Sequence, residues 1–220
     1  MRAPLIAPEV LREMASLLQD EDRDEMAIPS YLHPNPALRW MAWSRLHAVV
    51  DQLPSCLPQG GAAMDYGCGT GVLFESLLSR ASSLVGVDLV LDAARLWTER
   101  QGLDVELIGP QALAQRDARS LDLIVAAEVL EHVDDLQGVL RDFGRLLKPG
   151  GSLLVSLPTE GRLYRAGRRL AGFHGHYHHD NARSIDRAMR GLGFTRNSLR
   201  QLPLPGPLAI YWVSAYSPPS

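Results

Sequence analysis

The 220-residue sequence has two cysteines, a single lysine and no long apolar run, and each scarcity excludes a class of protein. Cys56 and Cys68 cannot build a disulfide framework, and they lack the Cys-x-x-Cys spacing of a metal site. No stretch reaches the roughly 18 apolar residues that cross a bilayer. Because Pro4 and Pro8 interrupt the first apolar segment, no signal peptide is expected. These features predict a cytoplasmic protein.

Basic residues are not in excess either, since the formal net charge is -3, which argues against a protein that binds nucleic acid over its whole surface. The charge is unevenly placed: residues 1–30 carry a net -4 and residues 160–200 a net +6. All basic residues except Lys148 are arginines, which pair well with carboxylates and phosphates. The arginine-rich stretch suits an anionic substrate group, a membrane surface or RNA, or is an ordinary solvated helix face.

From residue 61 onward, short apolar segments alternate with amphipathic stretches, which predicts βαβ units on a parallel sheet. Strands are predicted at 61–66, 84–89, 105–108, 121–127, 151–157, 194–202 and 208–216, and helices at 37–53, 72–80, 91–101, 133–147 and 182–191. We expect a single domain. Residues 1–60 would form a helical extension or lid, 61–158 the ligand-binding core, and 159–220 an acceptor-side insertion with the C-terminal strands.

The most informative segment is a glycine loop, Gly67-Cys68-Gly69-Thr70-Gly71, between a predicted strand and a helix. Glycines allow a tight turn and let a ligand approach main-chain amides. A dinucleotide loop needs a third glycine where Val72 stands, and a P-loop needs a Gly-Lys-Ser/Thr sequence that is missing here. Asp65, two residues before the loop, would repel a pyrophosphate but suits an ammonium group. A nicotinamide dehydrogenase is therefore disfavoured.

A second carboxylate, Asp88, ends the next predicted strand. At that position it can accept two hydrogen bonds from a ribose diol. The alternative is a helix N-cap, because a helix follows closely. Given the glycine loop, we expect Asp88 to bind a ribose.

These residues resemble the class I S-adenosylmethionine-dependent methyltransferase family, in particular its small-molecule branch, which includes ubiquinone-biosynthesis methyltransferases. The matching motifs cover about residues 61–158 and read DYGCGTG, VGVDL, LDLIVAAEVLEHV and LLKPGGSLLVSLP. The resemblance implies an α/β fold, a Rossmann-like doubly wound sheet of seven strands in the order 3-2-1-4-5-7-6, with strand 7 antiparallel. It also implies an enzyme that uses S-adenosyl-L-methionine as its cofactor.

The resemblance assigns roles to individual residues. Asp65 would hold the methionine ammonium and Asp88 the ribose, while Glu128 would line the sulfonium end. The remaining cofactor contacts would come from Gly67, Cys68, Gly69, Gly71 and Leu89. The family often has an acid after the third strand that contacts the adenine amine, and this sequence has none. Gln111 is the residue left to accept that hydrogen bond.

Methyl transfer from a sulfonium depends on alignment of the reacting atoms and exclusion of water, so no side chain is chemically obligatory. A base is needed where the acceptor must lose a proton. His132 is one candidate, with a purely packing role as its alternative. The others are His176, Tyr177 and His179, in a segment that resembles a Gly-His-x-x-His element of the family. A solvated loop is the alternative there, and no metal is expected because no cysteine accompanies the histidines.

The N-terminal extension supplies candidate acceptor contacts, Tyr31 and His33, in a proline-rich loop. Trp40, Trp43 and Val50 recur at helical spacing and are predicted to be the buried stripe of a packed helix, with stacking of the tryptophans on a flat or apolar acceptor as the alternative.

We therefore expect methylation of a small molecule, anionic or aromatic, at oxygen, with nitrogen and carbon as other possible atoms. The alternatives are a non-catalytic S-adenosylmethionine-binding module and an RNA methyltransferase. DNA amino methylation is disfavoured, because the Asn/Asp-Pro-Pro-Tyr element is absent after the fourth strand.

Overall fold

The computed structural model describes residues 4–159 and 181–219. In chain order its α-helices are α1 Pro8–Leu17, α2 Asp20–Glu25, α3 Ile28–Tyr31, α4 Pro36–Cys56, α5 Phe74–Leu78, α6 Asp92–Gln101, α7 Leu136–Leu146 and α8 Ala182–Gly191. Its strands are β1 Gly61–Tyr66, β2 Ala81–Val87, β3 Glu106–Ile108, β4 Leu121–Ala127, β5 Leu147–Pro158, β6 Thr195–Pro203 and β7 Ala209–Ser217. Short 3-10 helices cover Pro110–Gln115, Leu130–His132 and Gly206–Leu208.

The seven strands form one sheet in the order β3-β2-β1-β4-β5-β7-β6. The strands from β3 to β5 pair in parallel, and β7 runs antiparallel to both β5 and β6. The predicted fold class, strand order and strand direction are therefore confirmed. The chain order reverses between β1 and β4, which is the point where open α/β sheets bind ligands at the carboxyl ends of their strands.

Helices cover both faces of the sheet, and β4 shows how the strands serve both layers. Leu123 and Val125 face a cluster with α1, α4, α5 and α6, whereas Ile124 and Ala126 face a cluster with α7 and α8. Successive side chains of a strand point to opposite faces, so a strand covered on both sides is apolar throughout. The N-terminal extension thus packs against one face of the sheet as part of the larger cluster.

Some local predictions are wrong. Helix α4 continues past Pro54 to Cys56, and its buried face is not the predicted stripe, because Trp40 is 40% exposed and Val50 is half-buried. Trp43 is buried as predicted, and Arg45, Leu46 and Val49 are buried as well.

The segment after β4 also differs from the prediction. The predicted helix 133–147 begins only at Leu136, as α7, and Glu128 ahead of it has a left-handed backbone with φ of 59°. None of the helices that the structure describes has both the length and the apolar character needed to cross a membrane.

Candidate active site

The predicted cofactor residues meet at the carboxyl ends of β1, β2 and β4, which are neighbours in the sheet. Gly67 and Cys68 follow β1, and their amides both donate to the carbonyl of Val87, the last residue of β2, over 2.8 and 3.0 Å. The glycine loop is thus tied to the end of the neighbouring strand. Its position beside the crossover between β1 and β4 is where the fold places a ligand.

Two glycines of the loop are required by geometry. Gly67 has φ of 72°, and a Cβ there would lie 2.4 Å from the Cβ of Val129. Gly71 has φ of 73°, and a Cβ there would lie 2.6 Å from the ring of Phe74. Side chains at these positions would meet both backbone strain and a steric clash. Glycine at these two positions therefore lets the loop close tightly over the sheet.

Asp88 lies directly after β2 and is bound to the glycine loop. Its Oδ2 accepts a 2.7 Å hydrogen bond from the amide of Gly69, and its Oδ1 accepts one of 2.7 Å from the amide of Leu89. The N-cap of α6 is Leu91, so Asp88 does not cap that helix. Oδ1 also accepts a longer hydrogen bond of 3.4 Å from the amide of Val90, so Oδ2 is the oxygen that keeps a further lone pair for a hydroxyl group. This geometry fits the predicted ribose contact.

Asp65, near the end of β1, is 2% exposed. Burial raises the pKa of its carboxyl to about 7, and the nearby charge of Asp88 adds to the effect. A buried carboxylate that a like charge destabilises would gain from an arriving cation. Asp65 therefore fits a ligand that brings an ammonium group.

Glu128, just beyond β4, has a cationic partner within the protein. Arg45 Nε lies 2.5 Å from Glu128 Oε1 as an ion-pair contact, outside hydrogen-bond alignment, and the two side chains are 5% and 18% exposed. Ser156 Oγ on β5 donates to the same Oε1 over 3.1 Å. Burial raises the pKa of Glu128, while the Arg45 charge acts in the opposite direction.

Two tyrosines lie on Arg45. The guanidinium carbon is 5.6 Å from the ring centroid of Tyr31 and 5.2 Å from that of Tyr211 on β7, and Arg45 Nη1 donates to the Tyr211 hydroxyl over 3.3 Å. The Tyr31 ring also stacks on Trp43, with centroids 4.7 Å apart. We call Tyr31, Arg45, Glu128, Ser156 and Tyr211 the Glu128 cluster. Of its members, Tyr31 and Glu128 were predicted site residues.

Sequence reasoning missed Arg45, Ser156 and Tyr211. Arg45 had a visible signal, because it is a lone arginine between Ala42 and Val49 on an apolar helix face, where an unpaired charge would be costly. Ser156 and Tyr211 had none, since their role depends on pairing between distant strands.

The other predicted residues lie around this edge. Leu89 is 84% exposed beside Asp88, and Gln111, also exposed, folds its amide back over Gly109. His33 is half-buried before α4, and its Nδ1 accepts from the amide of Asn35 over 3.0 Å. Cys68 is buried, and burial raises the pKa of its thiol well above the usual range. These site assignments stay predictions.

Among the catalytic candidates, His132 is exposed at the end of the 3-10 helix Leu130–His132. His176, Tyr177 and His179 lie outside the described residues. Within the described ranges, no three His, Cys, Asp or Glu side chains form a group that could hold a metal ion.

A family profile described as a methyltransferase domain matches residues 38–199. The chain belongs to the class I S-adenosylmethionine-dependent methyltransferase family. The prediction of this family, with S-adenosylmethionine as its cofactor, is therefore confirmed.

Among curated relatives, a ubiquinone biosynthesis O-methyltransferase of Pseudomonas entomophila is 36% identical over 102 residues. The alignment covers 44% of this chain and 44% of the relative, so the chain spans less than half the length of that protein.

Solved structures with the same fold are more distant in sequence. The N-methyltransferase NodS of Bradyrhizobium japonicum, in complex with S-adenosyl-l-homocysteine, superposes with a TM-score of 0.66 at 19% identity. That match covers 96% of this chain and 99% of NodS. The 1,6-didemethyltoxoflavin-N1-methyltransferase of Burkholderia thailandensis gives a TM-score of 0.63 at 18% identity, over 100% of this chain and 94% of that one. At such identity these matches show the fold alone.

The residues present fit the family's cofactor. The glycines let the loop turn tightly, Asp88 Oδ2 has a lone pair for a ribose hydroxyl, and Asp65 is a buried carboxylate on which, among the described residues, the like charge of Asp88 acts. When bound, S-adenosylmethionine supplies an activated methyl group. The protein's task is to orient it, to exclude water and to position the acceptor.

Proposed function

We propose that the chain transfers a methyl group from S-adenosylmethionine to the oxygen of a small-molecule acceptor. The observation that carries the donor half of this proposal is the arrangement of Asp65, the glycine loop and Asp88 along the ends of β1 and β2. Asp65, before the loop, offers a carboxylate to an ammonium group, and Asp88, bound to Gly69, offers one to a ribose. Methylation at oxygen is supported by the O-methyltransferase relatives, which are more similar in sequence than the N-methyltransferases are.

Structural features around the loop support a covered donor site. Met26, between α2 and α3, has its Cγ 3.5 Å from where a Cβ on Gly69 would stand, and Asp22 of α2 adds to the negative field at Asp88. A segment that contacts the glycine loop can exclude water from a bound ligand. We propose accordingly that residues 1–60 act as a lid on a single domain, with 61–158 as the cofactor core and 159–220 on the acceptor side.

The acceptor proposal rests on the opposite end of the site. The Glu128 cluster offers two tyrosine rings and a buried ion pair, which suits an aromatic molecule with a polar substituent. An anionic group on the acceptor would find exposed arginines at Arg183, Arg187 and Arg190 of α8. We propose His132, His176, Tyr177 and His179 as further candidates for acceptor contact, together with Tyr31 and His33.

The test has two steps. Calorimetric titration with S-adenosylhomocysteine and with NADH comes first, and we expect binding of the former alone. Transfer of a labelled methyl group is then measured with catechols, hydroxybenzoates, amines and tRNA. Transfer to a hydroxylated aromatic supports the proposal. Binding without transfer to any class would favour a non-catalytic module, transfer to tRNA would favour an RNA methyltransferase, and binding of NADH alone would overturn the donor assignment.

A further inference from the structure

The sheet order divides the site into a donor side and a second side. Asp88 follows β2, Asp65 lies on β1 and Glu128 follows β4, and these three strands are consecutive neighbours. Ser156 and Tyr211 continue the same edge on β5 and β7, which pair at Pro158 and Tyr211. The Glu128 cluster therefore begins beside the methionine end of the donor site and extends away from the ribose. A methyl acceptor must approach from this side.

Glu128 is held rigidly at the boundary between the two sides. Its backbone amide donates to the carbonyl of Ser156 over 2.8 Å, and its φ of 59° is a conformation that non-glycine residues rarely adopt. Such strain persists where surrounding contacts fix it, and it occurs most often at functional sites. The orientation of this carboxylate is thus determined by the fold rather than left to rotamer choice.

The two carboxylate oxygens of Glu128 have different roles. Arg45 and Ser156 both contact Oε1, at 2.5 and 3.1 Å. Since the side chain is 18% exposed, the carboxylate is not closed off from the site. Oε2 is the oxygen that these contacts leave for a proton.

Among residues 4–159 and 181–219, the charged and titratable groups that face Glu128 come from three elements: Arg45 from α4, Tyr31 from α3 and Tyr211 from β7. Burial raises the pKa of both tyrosines, so both hydroxyls stay protonated at neutral pH. Neither is therefore a base in that range. Burial raises the pKa of Glu128, and the Arg45 charge opposes that effect and so favours the ionised carboxylate, which is the form that can accept a proton.

We propose that Glu128 accepts, through Oε2, the proton of an aromatic acceptor hydroxyl, and that Arg45 is the positioning residue that fixes Oε1. This inference rests on the proposed methyl transfer to oxygen. As the oxygen lone pair forms the new C–O bond, the C–S bond breaks with its electron pair on sulfur, and the hydroxyl proton passes to Glu128 and then to solvent. Positioned proton transfer of this kind contributes about 10²–10⁴ in rate.

The experiment compares wild type with Glu128→Gln, which keeps the shape and loses the base. The probe acceptor is catechol, whose hydroxyls stay protonated at neutral pH, with labelled S-adenosylmethionine as donor. We expect the turnover of Glu128→Gln to fall at least about a hundredfold, while the dissociation constant of S-adenosylhomocysteine changes less than about threefold. In wild type, kcat/KM should fall towards acid pH as Glu128 gains a proton, and that acid limb should be absent in the variant.

A second pair of variants separates chemistry from folding. Glu128→Gln combined with Arg45→Met removes both charges, so no unpaired charge stays buried if the single variant fails to fold. Arg45→Lys keeps the charge and loses the planar guanidinium, and it should retain the acid limb with reduced kcat.

The outcomes distinguish this inference from the proposed function. If wild type neither binds S-adenosylhomocysteine nor transfers methyl groups, the proposed function fails. If wild type is active but Glu128→Gln or the double variant turns over at the same rate, only the role of Glu128 is overturned. A large loss of S-adenosylhomocysteine affinity would place Glu128 on the donor instead, and failure of wild type to methylate catechol would contradict the aromatic hydroxyl.

Discussion

Asp65 and Glu128 are carboxylates at the ends of neighbouring strands, the first buried and the second with 18% of its side chain exposed, and the charges around them are opposite in sign. Glu128 has Arg45 within 2.5 Å and a serine hydroxyl on the same oxygen. Burial raises the pKa of Asp65 to about 7, and the nearby carboxylate of Asp88, a charge of the same sign, adds to the effect. A buried charge is stable only beside a charge of opposite sign. The fold supplies that charge to Glu128, which indicates a structurally fixed carboxylate. It supplies a like charge to Asp65, which indicates a binding place for a cationic ligand.

The largest expected effect comes from breaking the pair that the fold supplies. Arg45→Met leaves Glu128 buried without its cation and should lower the free energy of unfolding by about 3–5 kcal/mol, measured by urea denaturation at pH 7. The control is Arg100→Met, since Arg100 pairs with Glu13 where both side chains are nearly half exposed. That variant should lose at most about 1 kcal/mol. Equal losses would mean that burial does not distinguish the two pairs.

The pH dependence of stability should reveal Asp65. Because its pKa rises from 3.8 to about 7 on folding, the folded protein without ligand holds a proton that the unfolded chain releases. The stability from this group is full below pH 3.8 and is lost as the pH rises through about 7. At about 1.4 kcal/mol per pKa unit, the loss is at most about 4 kcal/mol.

Urea unfolding of wild type and Asp65→Asn between pH 4 and pH 8 measures this loss. The difference in unfolding free energy between the two proteins should change steadily across that range, with Asp65→Asn the more stable at pH 8. Parallel curves would show that Asp65 ionises normally. Saturating S-adenosylhomocysteine should flatten the wild-type curve, because its ammonium favours the ionised carboxylate.

Removal of the unpaired carboxylate should weaken ligand binding even as it stabilises the fold. Asp65→Asn should raise the dissociation constant of S-adenosylhomocysteine about tenfold to a hundredfold at pH 8, the value of a charge-assisted hydrogen bond. Calorimetric titration measures this, with the exposed Asp104→Asn as the control. Unchanged affinity in Asp65→Asn would remove Asp65 from the donor site.

The same contrast explains what the sequence could predict. The glycine loop, Asp65 and Asp88 belong to short motifs at strand ends, so their placement follows from local patterns once a parallel sheet is expected. The strand order came from the family resemblance. Arg45 was missed because its burial depends on Glu128 far along the chain, and the face of α4 was wrong because apolar residues surround that helix on several sides.

The backbone conformation of Glu128 also could not be predicted from the sequence around it. A helix beginning at Glu128 satisfies the apolar spacing of the segment, but the carbonyl and hydroxyl of Ser156 on β5 hold the residue in a left-handed conformation. The left-handed conformation of Glu128 thus depends on the pairing of β4 with β5. The spacing of apolar residues within the segment does not predict that pairing.

The smallest expected effect tests how finely Glu128 is fixed. Ser156 and Ser214 are both buried serines on the paired strands β5 and β7, where Val155 stands opposite Ser214. Ser156 Oγ donates to Glu128, whereas Ser214 Oγ has no hydrogen-bond partner among the described residues. Ser156→Ala should therefore cost about 1 kcal/mol of unfolding free energy, and Ser214→Ala should be neutral or stabilising. If urea denaturation gives equal costs, the losses reflect packing of the serine side chain, and the hydrogen bond to Glu128 Oε1 contributes nothing to holding that carboxylate.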